Sequence, residues 1–206
     1  MSNLFQTLKS KVTRDLNDQG LSQVLRKGFR YAAELATAPV YLRGATELGQ
    51  GVRTFGRPRI DNQGTLRIGS NTLLRSVNVP VELAVGPDGT LLIGQECSIN
   101  YGVSVGCMKA VTIGDRVRIG PYAMIIDTEF HGVYDRKTMP EPRPIVLEDD
   151  VWVGAKSSIL PGVTIGRGSI IGVSSVVGAD VPPFTVMVGV PARPVKKLDP
   201  EQFVVR

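Results

Sequence analysis

Aliphatic residues recur at every sixth position over much of this chain, and that period constrains the fold more than any other feature. The positions in step are Ile93, Ile99 and Val105, then Ile113, Ile119 and Ile125, then Leu147, Val153, Ile159, Ile165, Ile171 and Val177. Glycine directly follows most of them. A six-residue period fits neither a helix nor an ordinary alternating strand. It fits a short strand and a tight turn that repeat as the sides of a three-sided coil.

Such a coil points its aliphatic residues inward and stacks on the next coil at a strand spacing of ~4.8 Å. We expect the glycine after each aliphatic position to supply the backbone freedom that the turn demands. The narrow interior has no room for rings, in agreement with an aromatic content of 6%. We expect the regular prism to run from about residue 60 to about residue 192, with irregular excursions around 77–90.

The N-terminal segment has a different pattern. Leu4, Leu8, Val12 and Leu16 predict one helix, which Gly20 would end; Leu21, Val24, Leu25, Ala32 and Leu35 predict a second that ends before Pro39. Most of the net charge of +5 belongs to this segment, so the chain is not a basic domain that would wrap nucleic acid. The helices either pack on the main domain, at a subunit contact for example, or form a basic amphipathic anchor on an anionic membrane surface.

Composition excludes several classes of function. A single histidine rules out sites that need two or three imidazoles, which include most zinc hydrolases, so we expect no metal. Cys97 and Cys107 give neither a disulfide framework nor a metal-binding spacing, which favours a reducing cytoplasm. No apolar run approaches the ~18 residues of a membrane span, and the charged start is unlike a secretory signal.

A polar interruption at 127–144 breaks the repeat, which resumes at Ile145. A segment of this length inside so regular a repeat must leave the prism, and long loops on rigid scaffolds commonly carry function. This one holds His131, the only histidine of the chain. Histidine suits proton transfer near neutral pH. The residue is therefore a candidate catalytic base, and the alternative is a surface histidine in a mobile loop.

Three stretches resemble the hexapeptide-repeat acyltransferases: VWVGA at 151–155, ILPGVTIG at 159–166 and GVPAR at 189–193. They are similar to the end of the sugar O-acetyltransferase branch, which includes maltose, galactoside and surface-polysaccharide O-acetyltransferases. The resemblance implies a mainly β fold, a left-handed parallel β-helix with a short α-helical N-terminal segment. It also implies a homotrimer with acetyl-CoA held between neighbouring prisms. We divide the chain into a helical segment (1–45), a β-helix domain (46–195) and a tail (196–206).

The same resemblance implies a set of site residues. His131 is the expected general base, with Asn100, Asp127 and Glu129 as substrate-binding residues. Asn100 is otherwise only a turn residue that replaces glycine, and the two acids are otherwise solvated. The expected cofactor-binding residues are Trp152, Gly154, Ala155, Val173, Gly178, Ala179, Arg193 and Lys196. Ala155 and Val173 would act through their backbone groups. Arg193 and Lys196 suit the phosphates of coenzyme A, or are solvated charges near the terminus.

One departure from the relatives concerns the acceptor. The maltose and galactoside enzymes grip the sugar with an acid one coil below the histidine, whereas residues 106–109 here read GCMK. This favours a surface-polysaccharide precursor over a free sugar. We therefore expect an acetyl-CoA-dependent O-acetyltransferase that transfers directly, without an acyl-enzyme on Cys107. The alternatives are an N-acetyltransferase for an amino sugar or a drug, and a non-catalytic β-helix scaffold.

Overall fold

The computed structural model describes residues 21–202, and the predicted helix of Leu4, Leu8, Val12 and Leu16 lies outside them. Helix α1 (Leu21–Tyr41) precedes twenty short strands and a 3-10 helix at Pro200–Gln202. The strands are β1 (Glu47–Leu48), β2 (Arg53–Phe55), β3 (Arg59–Asn62), β4 (Thr65–Ile68), β5 (Leu73–Arg75), β6 (Glu82–Val85), β7 (Thr90–Ile93), β8 (Ser98–Ile99), β9 (Ser104–Cys107), β10 (Ala110–Ile113), β11 (Arg118–Ile119), β12 (Met124–Ile126), β13 (Ile145–Leu147), β14 (Trp152–Val153), β15 (Ser158–Ile159), β16 (Thr164–Ile165), β17 (Ile170–Ile171), β18 (Val176–Val177), β19 (Thr185–Gly189) and β20 (Ala192–Lys197).

Every third strand joins the same sheet, so the chain winds into a three-sided left-handed parallel β-helix, as predicted. Face A contains β1, β4, β7, β10, β13 and β16; face B contains β2, β5, β8, β11, β14, β17, β19 and β20; face C contains β3, β6, β9, β12, β15 and β18. The pairs are parallel except β19 with β20, an antiparallel hairpin at the C-terminal end of face B. Each coil therefore has three corners, named A–B, B–C and C–A after the faces they join.

The predicted ladder forms the core. Its twelve aliphatic side chains are all buried, with at most 3% of any of them exposed. A second buried position lies two residues earlier in the repeat, where small side chains such as Ala123 and Ser157 fill the corners. The coils begin at Glu47, earlier than the regular repeat can be recognised in the sequence. The repeat is hidden there because Thr54 occupies a buried position of the first coil, where the pattern would have an aliphatic residue.

The expected role of the glycines is wrong. Gly154 does not have the left-handed backbone of a turn; instead, a Cβ there would lie 2.7 Å from the Ile171 carbonyl oxygen and from the Val173 nitrogen. The left-handed conformation falls two residues later, at Lys156 (φ 58°). Glycine is therefore required by the close stacking of successive coils, while ordinary residues adopt the strained turn conformation.

Helix α1 differs from its prediction in two respects. It continues through Pro39 because the missing amide falls in the last turn, which the Leu42 N–H closes on the Ala38 carbonyl at 2.9 Å. The predicted apolar stripe is not the packed face, since Leu25 and Ala32 are exposed. Ala38 and Glu34 are buried instead. No helix within residues 21–202 is long and apolar enough to cross a membrane.

An ionic cluster fastens three successive coils at the A–B corner. The Arg116 guanidinium donates two hydrogen bonds to the Asp150 carboxylate, at 2.6 and 3.0 Å, and Arg167 lies 3.4 Å from the same carboxylate. The hydrogen bond from Arg116 lowers the pKa of Asp150 below its ordinary value. This carboxylate is almost completely buried, so its charge depends on these partners.

We expect Asp150→Asn to lower the free energy of unfolding at pH 7 by about 1–3 kcal/mol, because Arg116 and Arg167 lose the charged acceptor that they share and Arg116 keeps only the longer contact with Asp149, at 3.5 Å. The pKa of Asp150 is lowered in the folded state. The stabilisation that this carboxylate provides is therefore present above the ordinary carboxyl pKa, and it is lost as the pH falls through the folded-state pKa. Denaturant titrations at pH 7 and pH 3 measure the difference. Glu47→Gln, which removes an exposed pair with Arg67, is the control and should change little. An equal loss at both pH values would contradict the prediction.

Candidate functional site

The His131 loop leaves the prism at the C–A corner. β12 ends at Ile126 and β13 begins at Ile145, so residues 127–144 lie outside the strands. The His131 side chain is exposed. Its backbone N–H donates to the Glu129 carbonyl at 2.6 Å, which fixes a tight turn just before the imidazole. The histidine is thus presented to solvent on a loop with a rigid base.

Asp127 forms that base. Its side chain is completely buried, and its two carboxylate oxygens accept hydrogen bonds from the backbone N–H groups of Met108, Lys109 and Ala110 at 2.8–2.9 Å. Its carbonyl accepts a further bond from Arg143 at the other end of the loop. A carboxylate so enclosed cannot reach a substrate. The expectation that Asp127 binds the acceptor is therefore replaced by a structural role, which ties both ends of the loop to the coil below.

Two exposed ion pairs brace the same loop. Glu129 lies 3.2 Å from Arg143, and Glu141 lies 2.6 Å from Lys109 on the neighbouring turn. Neither Glu129 nor Asp127 is hydrogen-bonded to the imidazole of His131. A contact between Glu129 and the acceptor stays a prediction.

The B–C corner carries backbone donors that nothing in residues 21–202 accepts. The N–H groups of Ala155 and Val173, at matching positions in successive coils, donate no hydrogen bond to a described residue. At the A–B corner the matching amides of Gln95, Asp115 and Arg167 are capped by the carboxylates of Asp115, Asp149 and Glu148, while the N–H of Asp149 donates no hydrogen bond to a described residue. The B–C corner lacks these acids, so its amides remain available to a ligand.

Trp152 stands beside these amides. It is paired with Arg118 and Ile170 along face B, and its indole points away from the core, with 54% of the residue exposed. Gly154 follows it and cannot carry a side chain, because the next coil lies too close. Asn100 occupies the same corner two coils earlier, where its N–H donates to the Ile119 carbonyl. One corner thus holds the Trp152 ring, the open backbone N–H groups of Ala155 and Val173 and the Asn100 side chain.

The remaining predicted cofactor residues lie at the C-terminal end of the prism. Gly178, Ala179 and Arg193 line a cavity of about 150 Å³ with the 187–192 segment. Lys196 lies on β20 and is exposed, as is Arg193. The two cations are free of ion pairs with any residue between 21 and 202, which suits a phosphate-bearing ligand.

Cys107 is not a nucleophile in this structure. Burial raises the pKa of its thiol to about 11, and the negative charge of Asp127 acts in the same direction. The thiolate needed for attack is therefore scarce at neutral pH. Within the described part of the chain, no cluster of three or more His, Cys, Asp or Glu residues is placed to hold a metal ion.

One chain does not assemble the whole predicted site. His131 projects from the C–A corner, whereas Asn100, Ala155 and Val173 lie at the B–C corner, on the opposite edge of face C. The sequence reasoning missed Arg143, whereas it expected the backbone groups of Ala155 and Val173 to act. The open amides had a signal in the sequence, since acids occupy the turn positions 115 and 149 but not 155 and 173.

Comparison with known proteins agrees with this architecture. Residues 144–179 match the family model described as bacterial transferase hexapeptide (six repeats). The chain is 34% identical over 125 residues to the galactoside O-acetyltransferase of Escherichia coli, which spans 60% of this chain and 61% of that protein. A match to an acetyltransferase-like protein of Schizosaccharomyces pombe, 38% identical over 112 residues, spans 52% of this chain and 53% of that protein. The chain thus spans less than two thirds of these two relatives.

A longer match joins the chain to WbbJ of Escherichia coli, whose name assigns it provisionally to lipopolysaccharide O-acetyl transfer. The two are 30% identical over 155 residues, which cover 69% of this chain and 76% of WbbJ. A crystal structure of a hexapeptide-repeat-containing acetyltransferase from Vibrio cholerae, complexed with acetyl-CoA, superposes with a TM-score of 0.57 at 28% identity, over 94% of this chain and 88% of that one. The repeat, the fold and these relatives together show that the chain belongs to the hexapeptide-repeat acyltransferase family.

Proposed function

We propose that this protein is an acetyl-CoA-dependent O-acetyltransferase that acts on a hydroxyl of a sugar or of a surface-polysaccharide precursor, with His131 as general base. The observation that carries the proposal is the pair of open amides at Ala155 and Val173 beside Trp152, at the level of the coil from which the His131 loop leaves. Support also comes from the acetyl-CoA in the Vibrio cholerae relative and from the names of the Escherichia coli relatives.

The proposed reaction uses groups from both the C–A corner and the B–C corner. The imidazole of His131 accepts the proton of the acceptor hydroxyl as its oxygen forms a bond to the thioester carbonyl carbon. The open N–H of Ala155, in the Trp152–Ala155 segment, donates to the oxygen on which negative charge develops. When the carbon–sulfur bond breaks, the imidazolium returns its proton to the departing thiolate. The products are an acetyl ester and free coenzyme A, and the high pKa of Cys107 favours this direct route.

The two corners meet only if copies of the chain lie side by side. We propose a homotrimer in which the His131 loop of one copy faces the Asn100, Trp152 and Ala155 corner of its neighbour. The wide separation of these residues around one prism supports this assembly. The cavity lined by Gly178, Ala179 and Arg193, with Lys196 on β20, is assigned to the phosphate end of the donor.

For location, we propose a cytoplasmic protein that touches the inner face of the membrane through α1. Leu25, Phe29 and Val40 are exposed along this helix, with Arg26 and Arg30 nearby. Such a surface suits the interface of an anionic bilayer.

Sedimentation with phosphatidylglycerol vesicles tests this location. We expect the wild-type protein to sediment with the vesicles and the Phe29→Asp variant to stay in the supernatant. The Val133→Asp variant, changed on the outer loop, should sediment as the wild type does. Equal sedimentation of both variants would instead assign the exposed face to a protein contact.

Isothermal titration with acetyl-CoA tests the donor site. We expect saturable binding with about one site per chain, weakened at least tenfold by Trp152→Ala because the variant removes the wall beside the open amides. Phe29→Ala removes another exposed aromatic ring, on α1, and is the matched control. Absence of binding at millimolar acetyl-CoA, with the protein folded, would overturn the proposal.

His131→Ala should bind acetyl-CoA as the wild type does and lose about 10²–10⁴-fold in turnover, the usual contribution of a positioned general base. Release of coenzyme A thiol, followed with glucose, galactose, lactose or glucosamine as acceptor, measures this. The buried Cys97 and Cys107 should not react with the thiol reagent. Acetylation confined to the glucosamine nitrogen would indicate the N-acetyltransferase alternative, and unchanged turnover would exclude His131 as the base.

Asp127→Asn tests the base of the loop. We expect the free energy of unfolding to fall by about 2 kcal/mol or more, because a neutral amide cannot accept from three backbone donors. Hydrogen exchange at the Met108, Lys109 and Ala110 amides should accelerate, while acetyl-CoA binding stays within twofold. Asp135→Asn, on the exposed outer part of the loop, is the control. Retained protection of the three amides would contradict the structural role of Asp127.

A further inference from the structure

Face C carries a cavity that the proposed reaction does not use. It has a volume of about 250 Å³, and its outward-facing wall includes Asp61, Gln63, Ala84, Gly106 and Phe130. The cavity lies below the point where the His131 loop leaves the prism, since Phe130 directly precedes the histidine. The cavity therefore extends from the His131 loop to the coils that contain β3 and β6, which the loop does not otherwise reach.

The floor of the cavity follows from one column of the sheet. Asp61, Ala84, Gly106 and Ile126 lie opposite one another on successive strands, and each points away from the core. The two middle members have almost no side chain, so they leave a hollow between the carboxylate of Asp61 and the side chain of Ile126. The hollow is a property of the sequence at these two positions and does not depend on how the loop is placed.

The polar groups of the cavity are unused. Neither the Asp61 carboxylate nor the Gln63 side-chain amide forms a hydrogen bond or ion pair with any residue in 21–202. Two cations of this region are already paired: Arg59, on the same strand as Asp61, lies 2.9 Å from Glu82, and Lys109 lies 2.6 Å from Glu141. Asp61 is thus the uncompensated charge at the edge of the hollow, and it is available to accept hydrogen bonds from a ligand.

Phe130 supplies an apolar surface at the upper edge. It has a left-handed backbone (φ 54°), which a bulky side chain adopts only at a cost, and its N–H donates to the Thr128 hydroxyl at 3.3 Å. The residue is 56% exposed, so this conformation gains no burial in the core. A ligand with an apolar face would require an aromatic ring held beside the hollow. This loop conformation holds the Phe130 ring there.

We propose that this cavity is a sugar subsite that binds a second ring of the acceptor, next to the ring that is acetylated. The proposal rests on the proposed function. A pyranose ring offers C–H groups for the face of Phe130 and hydroxyl donors for Asp61 and the Gln63 carbonyl, over a hollow of suitable size. The enzyme would then prefer a glycan of two or more residues over a single sugar, and Asp61 and Gln63 would be specificity-determining residues.

The test uses methyl-labelled full-length protein with lactose, maltose and chitobiose as probes, alongside glucose, galactose and N-acetylglucosamine. Met108 also lines the cavity. We expect at least one disaccharide to shift the Met108 and Ala84 methyl resonances and to bind at least tenfold more tightly than its monosaccharides. Asp61→Asn should weaken that binding about tenfold or more, the size of one hydrogen bond to a charged acceptor. Ala84→Leu, which fills the hollow, should abolish it.

Asp88→Asn is the matched control, because Asp88 is an exposed acid on the next turn that does not line the cavity. All variants should bind acetyl-CoA as the wild type does. Intact acetyl-CoA binding with no shift of the two methyl resonances by any probe, or shifts that Asp61→Asn leaves unchanged, would overturn the subsite and leave the acetyltransferase proposal standing. Loss of acetyl-CoA binding in the wild type would instead remove the proposed function itself.

Discussion

The stacking of one coil directly on the next is the constraint on which the rest of this structure depends. Parallel hydrogen bonds run along all three faces, so each coil must lie at strand spacing from both neighbours. Glycine at positions such as 154 makes that spacing possible, since a side chain there would meet the backbone above it. The inward aliphatic ladder then follows, because so narrow an interior admits only aliphatic or small side chains, such as Val111 and Ile113 on one face and Ala123 and Ile125 on another.

The candidate base lies where this regularity is interrupted. The loop at 127–144 leaves one corner without disturbing the ladder, because Ile125 and Leu147 on either side of it remain buried in step. Asp127 closes the gap by bonding to backbone groups of the coil below, so the loop is fixed at its base and free at His131. A rigid prism with an anchored excursion allows catalytic groups to be held accurately while their surroundings vary.

The core could be predicted almost completely from the sequence, because a six-residue step of aliphatic residues allows few alternatives. The physical role of Gly154 could not, since a close approach between coils depends on residues eighteen positions apart. Asp127 was expected near the substrate because a buried carboxylate in a polar loop looks like any other acid until its backbone partners are known. The regular prism was expected only from about residue 60, since the buried Thr54, which bonds to the nearby Gly56 carbonyl, hides the first coil. The packed face of α1 was also missed, since the buried Glu34 pairs with Arg53, which is distant in the sequence.

A coil of three nearly equivalent sides presents any ligand with three nearly equivalent edges, and this chain distinguishes them by acid placement. Along the A–B edge, side-chain carboxylates accept from the outward amides of Gln95, Asp115 and Arg167, so an incoming anion meets negative charge and few free donors. Along the B–C edge the same donors are left bare. The sequence thus breaks the pseudo-symmetry of its own fold: a few carboxylates occupy most donors of one edge, and their absence from the other edge leaves donors there for a ligand.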